Sequence, residues 1–282
     1  MICKRSAIYA DTNSLSPLQN VNDNSSVSHQ SLASSTTSVA SSILEYRIEN
    51  GRTYHKYKDG KYNLPNDGRE IDRLGKALPQ NNTSSVPPNV QFQVEDIEED
   101  WHFSLPFDYI HSRMMTGSIA DWKIYLRRCF DNLNPGGYLE LNDIDAIPLS
   151  DDGTLTEECT LKKSFSLWSE AIATLGSPFE KFNRLEGVLA EVGFEDVRVE
   201  RFKWPTNSWP KDPKFRELGI WNHENIAPHL EGMFMAGITC GLKWTKQEVH
   251  ELAVKARKDF DDTSIHAYFQ IWSIFGKKPV KA

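Results

Sequence analysis

The stretch from residue 86 to residue 143 constrains the fold of this chain more than any other part. Apolar residues alternate with polar ones over Val90–Val94, which predicts a short strand running into an acidic loop. A second strand is predicted at Phe107–Ile110. Residues 118–133 have helical apolar spacing, and an Asn-Pro-Gly-Gly turn then leads into a strand at Tyr138–Leu141. This order is typical of a parallel α/β unit, because a crossover helix returns the chain parallel.

Ligands of parallel α/β sheets bind beyond the carboxyl ends of the strands. The side chains at the predicted ends are Asp96, His111, Asn142 and Asp143. Asp96 could accept a hydrogen bond from a ligand amine while the amide of Ile97 binds a ring nitrogen, or it could lie in a solvated acidic loop. His111 and the nearby Arg113 could face a ligand, or they could be a packed histidine and a structural ion-pair partner.

Whole-chain properties narrow the class of protein. The chain has 282 residues, of which 39% are apolar, enough for one sizeable α/β domain or two small ones. A net charge of −7 and a pI near 5.7 argue against nucleic acid as the main partner. No apolar run reaches the length of a membrane span, and residues 1–10 lack the apolar stretch of a signal peptide. The four cysteines form no CxxC pair, so we expect reduced thiols in an intracellular protein, cytoplasmic or nuclear.

Composition divides the chain into a tail and a folded domain. Residues 1–43 include a long run rich in Ser, Asn and Thr, which cannot bury enough apolar surface to offset the entropy of ordering. They are predicted to be a disordered tail. The folded domain is predicted over 44–282, with an N-terminal segment at 44–75, a polar, Pro-rich loop at 76–88, and the sheet and helices at 89–282.

The N-terminal segment interleaves tyrosines with Arg and Lys. Asn50-Gly51 and Asp59-Gly60 are hairpin-type turn dipeptides. Tyrosines among basic residues can stack on nucleobases. The alternative, which we favour, is an amphipathic hairpin whose tyrosines pack on the domain. The tyrosines are Tyr46, Tyr54, Tyr57 and Tyr62.

The C-terminal half has clear periodic segments but no catalytic signature. The predicted helices cover 157–175, 182–192, two short pieces of 211–237 on either side of Pro228, and residues from the Thr245 capping box to Asp262; the predicted strands are Glu195–Trp204 and His266–Phe275. His223-Glu224 begins like HExxH, but Ala227 stands where the second histidine is required, so no metal site is predicted. The chain has no P-loop, no G-x-S-x-G and no G-x-G-x-x-G motif.

Several blocks carry a family resemblance. They are YRIENGRTYHKYKDGKYNLPND, VPPNVQFQVEDIEEDW, FDYIHSRMMTGSIADW, LNPGGYLELND and SIHAYFQIWSIFGKKP. Together they resemble a fungal class I S-adenosylmethionine-dependent methyltransferase family, the group that includes the nuclear regulator of secondary metabolism and its cluster-encoded relatives. The resemblance spans Leu44 to Pro279. Only the turn and strand of LNPGGYLELND are generic to class I enzymes.

The resemblance implies a Rossmann-like, seven-stranded α/β sheet with flanking helices. Its third strand would be Val90–Val94, its fourth Phe107–Ile110 and its fifth Tyr138–Leu141. The antiparallel pair at the far edge would be Glu195–Trp204 and His266–Phe275.

The resemblance also implies S-adenosylmethionine as cofactor. Asp96 and Ile97 stand where the family contacts the adenine ring, and His111 stands near the methionine moiety. The implied reaction is methyl transfer to an unidentified small-molecule or protein acceptor, in secondary metabolism. Methyl transfer is an in-line displacement that needs no dedicated base. No catalytic residue can be named, although His111 and Asp143 are candidates for a base.

The chain departs from the family pattern between Leu74 and Val86. There the family has its first strand, the Gly-rich cofactor loop and the second strand, whose acid holds the ribose hydroxyls. This chain has only a short polar loop, and Ala77 is the position nearest that acid. The first and second strands are therefore expected to be absent. The strand at Phe107–Ile110 should then have an open edge, or else pair with Val90–Val94.

Two hypotheses follow from this gap. In the first, the chain is an S-adenosylmethionine-dependent methyltransferase. In the second, it is a truncated, cofactor-free relative that acts, if at all, by binding a protein partner. The truncated chain could also be the non-functional product of a damaged gene or an incorrect gene prediction. A Gly-rich segment between Leu74 and Val86 would distinguish the two hypotheses, and the sequence has none.

Overall fold

The structure is a computed structural model that describes residues 8–10, 46–55, 64–70, 90–92 and 96–280. The predicted loop at 76–88, the turn Asp59-Gly60, Tyr57 and Tyr62 lie outside these residues. So does the predicted disordered tail, apart from Ile8–Ala10. Those three residues form a strand, which corrects the tail prediction at this point: the apolar tripeptide precedes the Ser-rich run and pairs with residues 90–92.

The described elements are eight strands and six α-helices. The strands are β1 Ile8–Ala10, β2 Tyr46–Glu49, β3 Arg52–His55, β4 Val90–Phe92, β5 Phe107–Arg113, β6 Leu133–Ile144, β7 Glu195–Pro205 and β8 Tyr268–Lys277. The helices are α1 Trp122–Asp131, α2 Thr160–Thr174, α3 Leu185–Val192, α4 Pro213–Ile226, α5 Leu230–Gly241 and α6 Lys246–Asp261. No helix in the described part of the chain is long and apolar enough to span a membrane.

The main sheet has the strand order β5-β6-β8-β7. Strands β5 and β6 are parallel and are connected through α1, whereas β8 runs antiparallel to both β6 and β7. This arrangement confirms the predicted fourth and fifth strands and the antiparallel pair at the far edge. The structure therefore contains four of the seven strands that the resemblance implies.

Strand β4 departs from its predicted place. It forms at Val90–Phe92, but it pairs antiparallel with β1 in a separate two-stranded sheet. Among the described strands, β5 pairs with β6 alone, so the open-edge expectation holds and pairing of β4 with β5 does not. Its partner is instead the apolar tripeptide Ile8–Ala10, which pairs with the backbone of Val90–Phe92.

Strand β6 begins earlier than predicted, because the Asn-Pro-Gly-Gly turn is incorporated into it. Leu133 pairs with Phe107 and Tyr138 pairs with Tyr109, so several extra residues of β6 bulge between these two pairs. Gly136 in the bulge has a φ of +83°, a conformation that glycine adopts without strain.

Helices α1 and α3 cover one face of the main sheet, which we call the first face. Leu126 and Cys129 of α1 pack with Leu139 and Leu141 of β6 and with Ile274 of β8, and all five are fully buried. Asp121 caps α1, because its Oδ1 accepts the Ile124 amide at 3.0 Å. Burial of this apolar layer supplies the main stabilisation of the sheet.

Helices α2, α5 and α6 form a second core, which we call the helical cap. Phe165, Phe234 and Phe260 are buried there together with Phe269 near the beginning of β8. Because β8 is antiparallel to β6, its beginning lies at the edge where β6 ends. The cap therefore packs at the carboxyl edge of the parallel strands.

The predicted helices are confirmed within a few residues of their ends. Gly193 ends α3 at a φ of +116°, and Thr245 begins α6 with the predicted capping box. A 3-10 turn containing Pro228 separates α4 from α5, which gives the two expected short helices.

The hairpin of β2 and β3 turns at Asn50-Gly51, where both residues have positive φ. Tyr54 is fully buried, whereas Tyr46 is 57% exposed. The Arg52 guanidinium lies against Gly232 of α5. Tyr54 therefore behaves as the amphipathic-hairpin interpretation predicts, packed on the domain.

Candidate functional site

The carboxyl ends of β5 and β6 meet at one edge of the main sheet. Arg113 pairs with Asn142, and the Met114 amide donates to the Asn142 carbonyl at 2.9 Å. The chain then turns over Met114–Gly117, which we call the β5 turn. Met114 has a φ of +53° and Gly117 a φ of +67°. Left-handed backbone at a non-glycine residue is costly, so another contact must hold Met114 there.

That contact comes from Asp143. Its Oδ2 accepts the Met115 amide at 2.6 Å and the Thr116 amide at 3.1 Å, and its Oδ1 accepts the Ile144 amide at 2.9 Å. The residue is only 2% exposed. Both carboxylate oxygens thus bind backbone amides, and this geometry disfavours the sequence-based suggestion that Asp143 is a base acting on a substrate.

The ionisation of Asp143 is set by two opposed effects. Burial raises the pKa of the carboxyl to about 7, and the charge of nearby Asp145 adds to the rise. The amides of Ile144, Met115 and Thr116 act in the other direction, because they stabilise the carboxylate. Asp143 therefore changes charge near neutral pH.

Asp96 and Ile97 lie in a buried turn, not in a solvated loop. Both residues are 7% exposed. Asp96 Oδ1 accepts the Glu98 amide at 3.1 Å, while the Ile97 carbonyl accepts Trp101 Nε1 at 3.0 Å. The side chain of Ile97 packs in the first-face core, together with Ile110 of β5.

His111 lies inside β5, not at its end, because the strand continues to Arg113. The sequence analysis ended this strand at Ile110, where polar residues begin. Ser112 continues it because its hydroxyl shares a buried hydrogen bond of 2.8 Å with Tyr125 of α1. Such a satisfied hydroxyl can be buried at little cost.

The side chain of His111 is exposed on the sheet face opposite to Ile110, since side chains alternate along a strand. We call this the second face. His111 Nε2 lies 3.0 Å from Asn142 Nδ2, and the ring stacks on Tyr109 with centroids 6.3 Å apart. The structure therefore brings Asp96 and Ile97 together but places His111 on the other side of the sheet.

The sequence analysis missed the contact between the β5 turn and the helical cap. A Cβ on Gly117 would lie 2.2 Å from Phe179 Cε1, which shows how closely the ring covers the turn. Phe179 packs edge-on against Trp168 of α2, with centroids 4.8 Å apart. A signal available in the sequence was the glycine directly before the predicted helix at 118–133, which favours a turn with positive φ. The described residues contain no group of three or more potential metal ligands.

Comparison with known proteins then assigns the family. A family profile described as a methyltransferase domain matches residues 43–199, more than half of the chain. Methyltransferase pytC of Aspergillus terreus is 32% identical over 298 aligned positions, which cover 87% of this chain and 92% of that protein. The chain belongs to the methyltransferase family. The methyl donor of this family is S-adenosylmethionine.

Two further proteins are similar to this chain over smaller shares of their own length. The secondary metabolism regulator LAE1 of Cochliobolus heterostrophus is 30% identical over 71% of this chain and 67% of that protein. Among solved structures, phosphoethanolamine N-methyltransferase 2 of Haemonchus contortus covers 66% of this chain and 36% of that chain, at 20% identity and a TM-score of 0.37. The family assignment rests on the sequence comparisons.

The alignment with pytC also measures what this family member lacks. It has 298 positions, whereas 87% of 282 residues is about 245, so pytC has about 53 residues there without a counterpart in this chain. A shortfall of this size is large enough to include the two strands and the Gly-rich loop that the sequence analysis expects to be missing between Leu74 and Val86.

The residues present fit only part of the cofactor. The buried turn at Asp96 and Ile97 suits the adenine end, where a carboxylate and an amide can bind a purine edge. The sequence has no Gly-rich loop for close backbone approach and no acid at the end of a second strand for the ribose. A complete site is therefore not formed by the described residues.

Proposed function

We propose that this protein transfers a methyl group from S-adenosylmethionine to a small-molecule or protein acceptor, in secondary metabolism and inside the cell. The observation that carries the proposal is the match to pytC, which spans 92% of that methyltransferase. The half-sheet β5-β6-β8-β7 and the helical cap support it, because they form the carboxyl edge at which such sheets bind ligands.

Three residues have proposed roles in binding the cofactor. Asp96 would accept a hydrogen bond from the adenine amine, and the Ile97 amide would donate to a ring nitrogen. His111, which is exposed on the second face, keeps the role at the methionine end that the family resemblance implies. Orientation of donor and acceptor can supply much of the rate of an in-line displacement, so the proposal assigns no base.

A second candidate function is a cofactor-free protein that binds a partner. The shortfall of about 53 residues relative to pytC favours it, since 298 positions align to about 245 residues here. The exposed second face favours it as well: Tyr109 is 51% exposed and Tyr138 is 47% exposed on a pair of parallel strands. Parallel strands usually have both faces covered.

Calorimetric titration of the full chain with S-adenosylhomocysteine, together with a melting curve, tests the proposal. We expect saturable binding to a protein that melts cooperatively. Asp96→Asn should weaken binding about tenfold, because Asn has one acceptor oxygen where Asp has two, and the Glu98 amide already occupies one. Asp100→Asn, in the same acidic loop but exposed, is the matched control and should bind like the wild type.

The outcomes separate the two candidates. Absence of binding heat from a cooperatively melting protein would overturn the methyltransferase proposal and support the cofactor-free function. If Asp96→Asn binds S-adenosylhomocysteine as tightly as the wild type, the methyltransferase proposal stands. The assignment of Asp96 to the adenine end is then wrong.

A further inference from the structure

Asp143 has no part in the proposed binding of the cofactor, yet it is the most strongly engaged acid of the described sheet. Its carboxylate accepts three backbone amides, two from the β5 turn and one from Ile144 of its own strand. The contact with the Met115 amide, at 2.6 Å, joins residues 28 positions apart in the chain. Asp143 thereby links the end of β6 to the turn that follows β5.

The β5 turn needs such a link, because its backbone is strained. Met114 and Gly117 both have left-handed φ values, and only glycine adopts that conformation readily. Met115 between them is buried in the first-face core. The amides of Met115 and Thr116 point to one acceptor, as in an anion-binding nest of successive backbone amides.

The β5 turn is also a point where the cap touches the sheet edge. Phe179 lies directly over Gly117 and packs against Trp168 of α2. Trp168 in turn contacts Phe234 of α5, with ring centroids 6.0 Å apart. A shift of the turn would therefore be transmitted to two helices of the cap through three aromatic rings.

We propose that Asp143 is a positioning residue, which holds the β5 turn in its strained form and so sets the helical cap over the carboxyl edge of the sheet. Its consequence for ligand binding rests on the proposed function. The contact between Asp143 and the β5 turn does not rest on that function, because it joins residues within the chain.

The charged groups near Asp143 are few. Asp145 directly follows the end of β6, and burial raises the pKa of its carboxyl as well. Trp272 of β8 is the register partner of Asp143, and the Arg201 guanidinium of β7 lies 5.6 Å from its ring centroid. His111 and Arg113 of β5 project to the opposite face of the sheet.

The amides of the β5 turn provide a direct test that needs no ligand. In the 15N-labelled full chain, the resonances of Met115, Thr116 and Ile144 should titrate together between pH 6 and pH 8, because the pKa of Asp143 is raised to about 7. Above this pH the charged carboxylate accepts the amides strongly; below it the neutral carboxyl is a weaker acceptor. The Phe107 amide, which donates to the Asn132 carbonyl at the opposite end of β5, is the internal control. Independent behaviour of the three amides would overturn the proposal.

Binding of S-adenosylhomocysteine tests the functional consequence. Wild-type affinity should fall about tenfold from pH 8 to pH 6 as the amide contacts weaken. Asp143→Asn should bind about tenfold more weakly at pH 8 and lose this pH dependence, whereas Asp108→Asn, at the opposite end of β5 and exposed, should keep the wild-type profile.

The two readouts keep the proposals distinguishable. If no binding occurs at any pH, the proposed function fails, and the amide titration alone decides the role of Asp143. If Asp143→Asn does not fold, the wild-type titration still decides it. A wild-type pH profile retained in Asp143→Asn would show that Asp143 does not position the site.

Discussion

At the scale of single residues, two glycines allow the cost of positive φ to be distinguished from the cost of a steric overlap. Gly117 has a φ of +67° and lies under the Phe179 ring, whereas Gly153 has a φ of +76° and no atom within 4 Å of the place that a side-chain methyl would occupy. Both positions strain any other residue. Only at Gly117 would a side-chain methyl also overlap another residue. The extra loss of stability on substitution there therefore tests how tightly Phe179 packs on the β5 turn.

We expect Gly153→Ala to lower the free energy of unfolding by about 1 kcal/mol, the cost of its backbone conformation. Gly117→Ala should lower it by about a further 1–3 kcal/mol, because the new methyl would overlap Phe179. Urea denaturation of both variants measures the difference. Equal losses would mean that the ring moves away freely and that the turn and cap are not packed together.

At the scale of elements, a bidentate ion pair joins the β2–β3 hairpin to the segment at residues 64–70. Arg52 Nε and Nη2 donate to the two carboxylate oxygens of Asp67 at 2.5 and 2.6 Å, and both side chains are largely shielded from water. The same guanidinium packs against Gly232 of α5. Planar, paired hydrogen bonds of this kind cannot be reproduced by a lysine.

Arg52→Lys should therefore lower the free energy of unfolding by about 1–2 kcal/mol. The matched control is Arg257→Lys, since Arg257 forms a single, half-exposed contact with Asp261 at 3.9 Å on α6. That change should cost less than about 0.5 kcal/mol. Chemical denaturation compares them, and a loss at Arg52 no larger than the control would show that the pair does not anchor the hairpin.

At the scale of the whole molecule, the main sheet is covered unequally. Its first face is covered by α1 and α3, while Tyr109 and Tyr138 on the second face remain half-exposed. Neighbouring residues of β6 alternate between these two environments. Substitutions at neighbouring residues of β6 can therefore compare the stabilisation that each face of the sheet provides.

Leu139→Ala should cost about 2–5 kcal/mol of unfolding free energy, because Leu139 is fully buried in the first-face core. Tyr138→Ala should cost about 1 kcal/mol or less, since its ring is 47% exposed and the Lys277 ammonium lies as far as 6.0 Å from the ring centroid. Thermal or urea unfolding of both variants checks this. A cost at Tyr138 comparable to that at Leu139 would show that the second face is covered in the folded protein.

The sequence by itself determined the local elements and the family. Hydrophobic periodicity predicted the helices, β5, β6 and the antiparallel pair, and the capping box at Thr245 fixed the beginning of α6, because these signals depend on neighbours a few residues away. The sequence also revealed the missing Gly-rich loop, since an absent motif needs no coordinates to be seen.

Tertiary structure decided how the strand ends are used. Burial of Ser112 against Tyr125 extended β5, and this extension placed His111 within the strand on the second face. The contacts of the β5 turn with Asp143 and Phe179 join residues 27 or more positions apart, and such contacts leave no local pattern in the sequence. Hydrophobic periodicity predicts which face of a helix or strand is apolar, because it depends only on local spacing. Which side chains of different elements contact each other is decided by the tertiary structure.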